Sequence, residues 1–182
     1  MNVKVETLAA TVLLDDDGRE VRVGDAWGQG PAVLVFLRHF GCIFCRENVV
    51  DFSPQEAVLK KAGARLVFVG LGTPSMAKDF REQMHVTAPI WVDRDRTTYK
   101  LLEFKKERSV GALFQPALWK NVMRARLKGL TQTKAQGPQA QYGGVVVIGK
   151  AGDVKLAYAS KLAGDFPPMT EVLRAAGVPA TT

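Results

Sequence analysis

The chain has 182 residues, of which 47% are hydrophobic and 24% charged, a balance that lets one domain bury a full core without a structural metal. We therefore expect a single domain over residues 1–182. The only two cysteines stand three positions apart, which excludes the multiple-disulfide scaffold of small secreted proteins and favours a reducing compartment. Glu6 lies where a signal peptide would be basic, and no apolar run is long enough to cross a bilayer. We expect a cytoplasmic protein with no membrane partner.

The net charge of +7 is concentrated in one stretch of the chain. Residues 94–134 contain 11 Lys and Arg against 3 Asp and Glu. Nucleic-acid binding would need this stretch to carry interleaved aromatic residues or a recognised motif, and neither is present, so we expect no nucleic-acid partner. The stretch is either a solvated surface or a guide for an acidic substrate or partner.

The first predicted elements are a hairpin and a buried strand. Two short strand-like segments, 10–14 and 19–23, flank a turn that ends in Asp17-Gly18, which is typical of a small hairpin. After a loop, residues 31–37 form a continuous apolar run. Such a run predicts a strand that is buried on both faces of a parallel sheet.

The two cysteines follow this strand. Beyond them, apolar residues recur among polar ones, which predicts an amphipathic helix that ends near Gly63. Cys42 would lie at the helix N-terminus, where free backbone N–H groups and the helix dipole favour a thiolate and lower its pKa. Cys45 would lie on the same helix face, close enough to attack a mixed disulfide or sulfenic acid formed on Cys42. Arg38 and Arg46 flank the pair and would add positive charge that favours the thiolate.

A Cys-x-x-Cys motif at a strand-to-helix turn, in a chain with no other cysteine, favours redox chemistry over two buried structural cysteines. The competing interpretation as a metal centre is weaker. A zinc site could be assembled only from both cysteines, His39 and His85, and structural zinc sites of this type show a second paired cluster of ligands. We therefore expect no metal.

The remaining elements continue an alternating pattern. They are a buried strand at 65–71, a helix from Thr73 to Met84 with Pro74 at its first position, a strand at 89–93, a helix at 94–104, strands at 143–149 and 154–158, and a helix at 169–176. Residues 105–142 interrupt the pattern as a polar, basic insertion. The insertion contains an amphipathic helix at 116–127 and a surface loop at 128–141.

This order of elements, with Cys-x-x-Cys after the first central strand, predicts an α/β fold of the thioredoxin-like type. We expect a three-layer α/β/α sandwich with a mixed central sheet, an N-terminal hairpin and a helical insertion before the last hairpin. Thioredoxins carry a cis-proline just before the hairpin strand, and here Gly143-Gly144 takes that place. Glycine can keep the backbone close to the cysteines, so that an extended thiol or disulfide substrate pairs with it.

Several residues also resemble those of one family. They are Arg38, Phe40, Gly41, Cys42, Cys45 and Arg46, the helix around Leu118 and Trp119, Gly143-Gly144, and Gly164-Asp165. Together they resemble the peroxiredoxin-like proteins of the alkyl hydroperoxide reductase and thiol-specific antioxidant superfamily, the branch that includes prostamide/prostaglandin F synthase. The resemblance implies an enzyme that reduces a peroxide, an endoperoxide or a disulfide. It also implies that the enzyme binds no cofactor and that an external thiol reductant, thioredoxin or glutathione, restores it.

The chain departs from typical peroxiredoxins in one motif. Those proteins have Pro-x-x-x-Thr-x-x-Cys, in which the threonine orients the peroxide, whereas the corresponding positions here are Val35 and His39. Two roles remain open for His39. It either acts as an acid, base or ion-pair partner for the Cys42 thiolate, or points away from the sulfur at the end of the strand.

Helix 116–127 also allows two interpretations. The simpler one places its apolar residues in the core and leaves Arg124 and Arg126 in solvent. Those apolar residues are Leu118, Trp119, Val122 and Met123. The other interpretation makes the helix a lid over Cys42, with an arginine that supports the thiolate.

Two functions of different class follow from these observations. The first is a thiol oxidoreductase, in which the Cys42 thiolate attacks an oxidised substrate and Cys45 resolves the product to an internal disulfide. The second is a non-catalytic thioredoxin-like interaction module that holds an acidic partner through the basic insertion at 105–142. Neither the oxidised substrate nor the oligomeric state follows from the residues.

Overall fold

The computed structural model describes residues 3–106, 115–133 and 141–179. The strands are β1 (Val12–Asp15), β2 (Glu20–Arg22), β3 (Ala32–Phe36), β4 (Arg65–Gly70), β5 (Ile90–Val92), β6 (Gly144–Ile148) and β7 (Val154–Ala159). The helices are α1 (Val5–Ala10), α2 (Ile43–Phe52), α3 (Glu56–Lys61), α4 (Pro74–Met84), α5 (Thr97–Leu101), α6 (Pro116–Leu127) and α7 (Met169–Ala175). Within these three ranges, no helix has both the length and the apolar character needed to cross a membrane.

The described strands form one mixed sheet in the order β2-β1-β5-β4-β3-β6-β7. Strands β3, β4 and β5 run parallel, whereas β1 and β6 pair antiparallel with β5 and β3. Side chains alternate across β3, so Val33 and Val35 pack with α2, α4 and α7, and Leu34 and Phe36 pack with α1 and α5. Helices therefore cover both faces, and the predicted thioredoxin-like α/β/α sandwich is confirmed.

The predicted N-terminal hairpin is confirmed as β1 and β2. The Asp15 carboxylate accepts the N–H groups of Asp17 at 3.0 Å and Arg19 at 2.8 Å, which closes the turn. The sequence pattern does not predict α1. This helix has only six residues and no side-chain cap, and the burial of Leu8 holds it against the sheet.

The helix after the cysteines is interrupted, and the prediction of one continuous helix to Gly63 is wrong. After α2 a 3₁₀ turn spans Ser53–Gln55, and α3 begins at Glu56. Pro54 causes the break, because it has no backbone N–H and its ring clashes with the preceding helical turn. The cysteines therefore lie at the start of a short helix of ten residues.

Hydrogen bonds from backbone N–H groups to side chains mark the starts of α4 and α5. Thr73 accepts the Met76 N–H at 3.3 Å, with Pro74 at the first helical position, as predicted for α4. Helix α5 is shorter than the predicted range of 94–104. The buried Asp93 carboxylate accepts the N–H groups of Thr97 and Thr98 at 2.8 and 2.7 Å, so the helix begins only at Thr97.

The insertion contains the predicted helix, α6. A backbone bridge between Lys106 and Gln141 joins its two ends. The predicted loop at 128–141 is described as far as Thr133, and residues 107–114 and 134–140 lie outside the described ranges. That the whole chain forms a single domain stays a prediction.

Candidate active site

Both cysteines lie where β3 leads into α2. Cys42 immediately precedes α2, and its N–H donates to the His39 carbonyl at 3.1 Å, which forms the turn after the strand. Cys45 lies in the first helical turn, where its N–H donates to the Cys42 carbonyl at 3.0 Å. Both thiols are reduced, with exposed fractions of only 2% and 1%. The predicted placement at a strand-to-helix turn is confirmed.

Cys42 is the more acidic of the two thiols. Its pKa is lowered to about 6, chiefly by a hydrogen bond from the Cys45 side chain. Burial acts against this shift because it disfavours the charged form, whereas the Arg38 guanidinium favours the thiolate. The backbone N–H groups of Cys45 and Phe44 contribute least. The sequence thus predicts the direction of the shift but assigns it to its smallest cause.

Cys45 is shifted in the opposite direction. Burial, followed by its interaction with the neighbouring Cys42, raises the pKa of Cys45 well above its ordinary value. The Cys45 sulfur also accepts the backbone N–H of Arg38 at 3.1 Å. At neutral pH the pair therefore holds one thiolate, on Cys42, and one thiol, on Cys45, that donates to it.

Arg38 lies beside this thiolate. Its Nη1 is 3.9 Å from the Cys42 sulfur, and its Nε donates to the Gln141 carbonyl at 3.2 Å. The guanidinium carbon also lies 5.6 Å from the centre of the Tyr142 ring, within the range of a cation–π contact. Arg38 is thus held by two residues at the end of the insertion while it faces the sulfur.

The described contacts of Arg46 are with residues other than the two cysteines. Its Nη2 donates to Gln83 Oε1 at 2.6 Å and to Thr133 Oγ1 at 3.5 Å, and its Nη1 lies 3.5 Å from the Met84 sulfur. These contacts join α2 to the end of α4. The predicted support of the thiolate by two flanking arginines is therefore seen geometrically for Arg38, and for Arg46 it stays a prediction.

His39 is buried and electrically neutral. Burial, and to a lesser degree the neighbouring Arg38 charge, lower its pKa to about 4. Its Nδ1 is buried and makes no hydrogen bond to any described residue. A neutral imidazole cannot form an ion pair with the Cys42 thiolate, so of the roles left open by the sequence this one is disfavoured at neutral pH.

Gln132 is a site residue that the sequence gives no reason to expect. Its Oε1 accepts the Ile43 N–H at 3.0 Å, and its Nε2 donates to the Gly41 carbonyl at 2.8 Å. The Thr133 N–H also donates to the Gly41 carbonyl, at 3.2 Å. The chain that follows α6 therefore lies directly on the cysteine motif and satisfies a backbone N–H at the start of α2.

An ion pair between a buried carboxylate on α2 and partly exposed cations on and after α6 joins the two helices. Arg124 donates from Nε and Nη2 to the two carboxylate oxygens of Glu47 at 2.7 and 2.9 Å, and Lys128 Nζ lies 3.1 Å from the same carboxylate. Burial of Glu47 opposes its charge, yet the two cations hold the pKa of Glu47 below its ordinary value. Lys128 also donates to Asp51 at 2.7 Å. Arg124 occupies an exposed position, as the simpler interpretation of the helix predicts, although its guanidinium also binds Glu47. The alternative role of an arginine of this helix beside the thiolate stays a prediction.

Helix α6 also presents a different apolar face from the predicted one. Trp119 and Met123 are 63% and 60% exposed, so the prediction that they are core residues is wrong. Leu118 and Val122 do pack against the core, and Ala125 is fully buried. Leu118, Val122 and Ala125 thus form the inward face of the helix.

This ion pair predicts a stability effect. We expect Arg124→Met to lower the free energy of unfolding by about 1–3 kcal/mol, because it leaves the buried Glu47 carboxylate with only Lys128. Denaturant unfolding measures the change. Adding Glu47→Leu to Arg124→Met should recover most of the loss, since the uncompensated buried charge is then gone. Arg126→Met, at an exposed position of the same helix, is the control, and an equal loss there would contradict the prediction.

Packing requires glycine at Gly143, just before β6, and at Gly144, the first residue of β6. A Cβ atom on Gly143 would lie 1.9 Å from the Phe36 carbonyl oxygen, and one on Gly144 would lie 2.1 Å from the Tyr158 carbonyl oxygen. The Gly143 carbonyl also accepts the Ser160 N–H at 3.0 Å. Close approach of β3 and β7 thus accounts for both glycines, and their part in substrate binding stays a prediction.

The zinc alternative would need both histidines beside the cysteine pair. His85 instead ends α4, where its backbone φ is +51°. Across the described ranges, no group of three or more His, Cys, Asp or Glu side chains could hold a metal ion. No described set of residues therefore supports metal chemistry at this site.

A thioredoxin-like sheet that buries a reduced Cys-x-x-Cys pair, one thiolate and one thiol, defines a thiol-dependent oxidoreductase. Comparison with protein families identifies the family of this oxidoreductase. The family model described as AhpC/TSA antioxidant enzyme matches residues 51–161, more than half of the chain. This chain belongs to the AhpC/TSA antioxidant enzyme family. The matched range begins after the cysteines, so their individual roles rest on the geometry above.

Relatives and solved structures agree with this assignment. Thioredoxin-like protein AAED1, chloroplastic, from Arabidopsis thaliana is 30% identical over 180 residues, which cover 93% of this chain and 71% of the relative. Prostamide/prostaglandin F synthase from Homo sapiens is 32% identical over 168 residues, covering 90% and 83%. The crystal structure of peroxidoxin BcpB from Mycobacterium tuberculosis matches with a TM-score of 0.64 at 16% identity, covering 92% and 90%, which supports the fold. The resemblance to peroxiredoxin-like proteins is therefore confirmed.

Proposed function

We propose that the protein reduces small hydroperoxides and endoperoxides, rather than disulfides of folded proteins, through Cys42 and Cys45. The observation that carries this proposal is the burial of a thiolate beside Arg38. A small oxidant needs less local opening to reach such a buried sulfur than the disulfide of a folded protein does. The Gly143 carbonyl, which an extended polypeptide would need, already accepts the Ser160 N–H.

The first step is attack on oxygen. The Cys42 thiolate attacks the terminal oxygen of a hydroperoxide, an S–O bond forms and the O–O bond breaks. Cys42 becomes a sulfenic acid, and the alkoxide that leaves takes a proton from solvent to become an alcohol. With an endoperoxide the same attack gives a sulfenate ester and an alkoxide on one carbon skeleton. Arg38, 3.9 Å from the sulfur, is placed to stabilise the negative charge that moves onto oxygen.

The second step resolves this intermediate. The Cys45 sulfur attacks the Cys42 sulfur, an S–S bond forms, and the hydroxyl leaves as water with the Cys45 proton. An alcohol leaves instead when the intermediate is a sulfenate ester. Two external thiols then reduce the Cys42–Cys45 disulfide and are themselves oxidised to a disulfide. We propose a thioredoxin-type protein or glutathione as this reductant, and a reducing compartment such as the cytoplasm as the location.

A panel of oxidants tests the substrate class. Cumene hydroperoxide, a prostaglandin-type endoperoxide, a small disulfide and a disulfide-bonded protein would each be supplied with thioredoxin or with glutathione. We expect the two peroxides to be consumed faster than either disulfide, per mole of enzyme. Faster reduction of the protein disulfide would contradict the proposal and favour a thioredoxin-type reaction.

The pH dependence of Cys42 provides a second test. The pKa of Cys42 is lowered from 9.0 to about 6, so the thiolate is present above about pH 6 and is lost as the pH falls through that value. We expect alkylation of Cys42 by iodoacetamide to follow a titration with its midpoint near pH 6. Cys45→Ala removes the hydrogen-bond donor and should raise the midpoint, and Cys45→Ser, which retains a hydroxyl donor, should raise it less. A wild-type midpoint near 9 would contradict the assignment.

The alternative of a non-catalytic interaction module is not favoured. Its basis is the positive charge of the insertion, yet two of these cations are already engaged. Arg124 binds Glu47, and Lys128 binds both Glu47 and Asp51. Membership of an enzyme family and a thiolate–thiol pair at the start of α2 both favour the oxidoreductase.

A further inference from the structure

Gln141 joins the two ends of the insertion. Its side chain is 97% buried, and its Nε2 donates to the Phe104 carbonyl at 2.9 Å and to the Lys105 and Tyr142 carbonyls at 3.2 Å each. The Tyr142 N–H donates to the Lys105 carbonyl at 3.0 Å, and the backbone bridge to Lys106 lies alongside. One buried amide therefore fixes where the insertion leaves the fold and where it returns.

The same residue reaches the active site through its backbone. The Gln141 carbonyl accepts Arg38 Nε at 3.2 Å, and the next ring, that of Tyr142, lies 5.6 Å from the Arg38 guanidinium carbon. These two contacts hold the side and the face of the guanidinium, and they leave Nη1 directed at the Cys42 sulfur. An Arg side chain has several rotatable bonds, so this orientation depends on what holds it.

We propose that Gln141 is a positioning residue for the redox reaction, which acts by fixing the carbonyl that directs the Arg38 guanidinium at the Cys42 thiolate. The Gln141 side-chain amide joins the backbone after α5 to the backbone before β6. This fixes the position of the Gln141 carbonyl, which accepts Arg38 Nε. The hydrogen bonds that join the two ends of the insertion thus affect the reactivity of Cys42. This inference rests on the proposed function only for its effect on turnover, because the effect on the thiolate can be measured without a substrate.

A purely structural role for Gln141 makes a different prediction. Loss of the amide would then lower stability and leave the titration of Cys42 unchanged. A positioning role instead requires that the Cys42 titration shift, that the shift depend on Arg38, and that a change elsewhere in the insertion not reproduce it.

The test replaces Gln141 with Leu, which is close in volume and has no donor. Cys42 alkylation by iodoacetamide is followed by mass spectrometry from pH 4 to 10 in the full chain. We expect the midpoint to rise by roughly half a unit or more, because an arginine within about 4–6 Å lowers the pKa of an acid by about 1–3 units and Gln141→Leu removes part of that effect. Peroxide turnover at a pH near the wild-type midpoint should fall about twofold or more, because fewer of the molecules then hold the Cys42 thiolate, and at high pH by less.

A double-variant comparison isolates the route through Arg38. In an Arg38→Met background, Gln141→Leu should cause no additional shift. Lys128→Met, which removes a contact between the insertion and α2 but none with Arg38, should leave the midpoint within error of wild type. An unchanged midpoint in Gln141→Leu, or the same shift with and without Arg38, would overturn the proposal. If peroxides prove not to be substrates, the alkylation profile still decides it.

A second pair of variants applies should Gln141→Leu fail to fold. Tyr142→Leu removes the ring from the Arg38 guanidinium, whereas Tyr142→Phe retains the ring and its face. We expect Tyr142→Leu to raise the Cys42 midpoint and Tyr142→Phe to leave it unchanged. Equal midpoints in the two variants would show that this end of the insertion does not position Arg38.

Discussion

Cys42→Ser is expected to reduce peroxide turnover by roughly 10³-fold or more, to the level of the uncatalysed reaction. A serine hydroxyl stays protonated at neutral pH and is a poor nucleophile without a hydrogen-bonded base. Cys45 cannot take over the attack, because burial raises its pKa and keeps it protonated. Consumption of hydroperoxide in the presence of excess thioredoxin or glutathione measures the effect, with the unfolding midpoint as a check that the variant is folded.

The same variant tests the assignment of roles. Cys42→Ser treated with peroxide should give no sulfenic acid on Cys45 at neutral pH, as measured by a sulfenic-acid-specific reagent and mass spectrometry. Accumulation of the adduct on Cys45, at a rate close to that of the wild-type protein, would reverse the two roles. Retained turnover in Cys42→Ser would place the chemistry outside this pair altogether.

Local sequence patterns predict which strands and helices carry the active site and where they begin. An apolar run, a turn and an amphipathic segment place Cys42 at the start of a helix, and Thr73 with Pro74 predicts the start of α4 to the residue. Each of these signals comes from neighbours within a few positions, where backbone geometry and side-chain periodicity act directly. That placement also predicts the direction of the Cys42 pKa shift, although the Cys45 side chain is its largest cause. The rise in the Cys45 pKa comes chiefly from burial.

Contacts between distant segments could not be predicted in this way. Gln132 contacts Ile43 from 89 residues further along the chain, and Gln141 contacts Arg38 from 103 residues further along. Nothing in their local sequence marks either residue. The burial and neutrality of His39 likewise depend on what packs around the end of β3. In α6 the apolar residues form two stripes at helical spacing, and which stripe faces inward depends on contacts with distant segments such as α2, where Glu47 binds Arg124.

Cys45→Ser is expected to separate the two steps of the reaction. The first attack should still occur, so that about one equivalent of hydroperoxide is consumed rapidly and Cys42 remains as a sulfenic acid. Steady-state turnover should fall by roughly 100-fold or more at low external thiol, because thiols in solution cannot match the effective concentration of a neighbouring sulfur. Added glutathione should restore part of the turnover in proportion to its concentration.

The pKa of Cys42 complicates this comparison, since the Cys45 side chain is the largest cause of its depression. Rates should therefore be measured above the titration of the variant, where Cys42 is a thiolate in both proteins. There the single-turnover rate of Cys45→Ser should approach that of wild type while its steady-state rate stays low, and this split identifies Cys45 as the resolving residue. Equal loss in both rates would assign Cys45 to activation of Cys42 alone. Full steady-state activity without added thiol would instead make the enzyme a one-cysteine peroxidase with a structural Cys45.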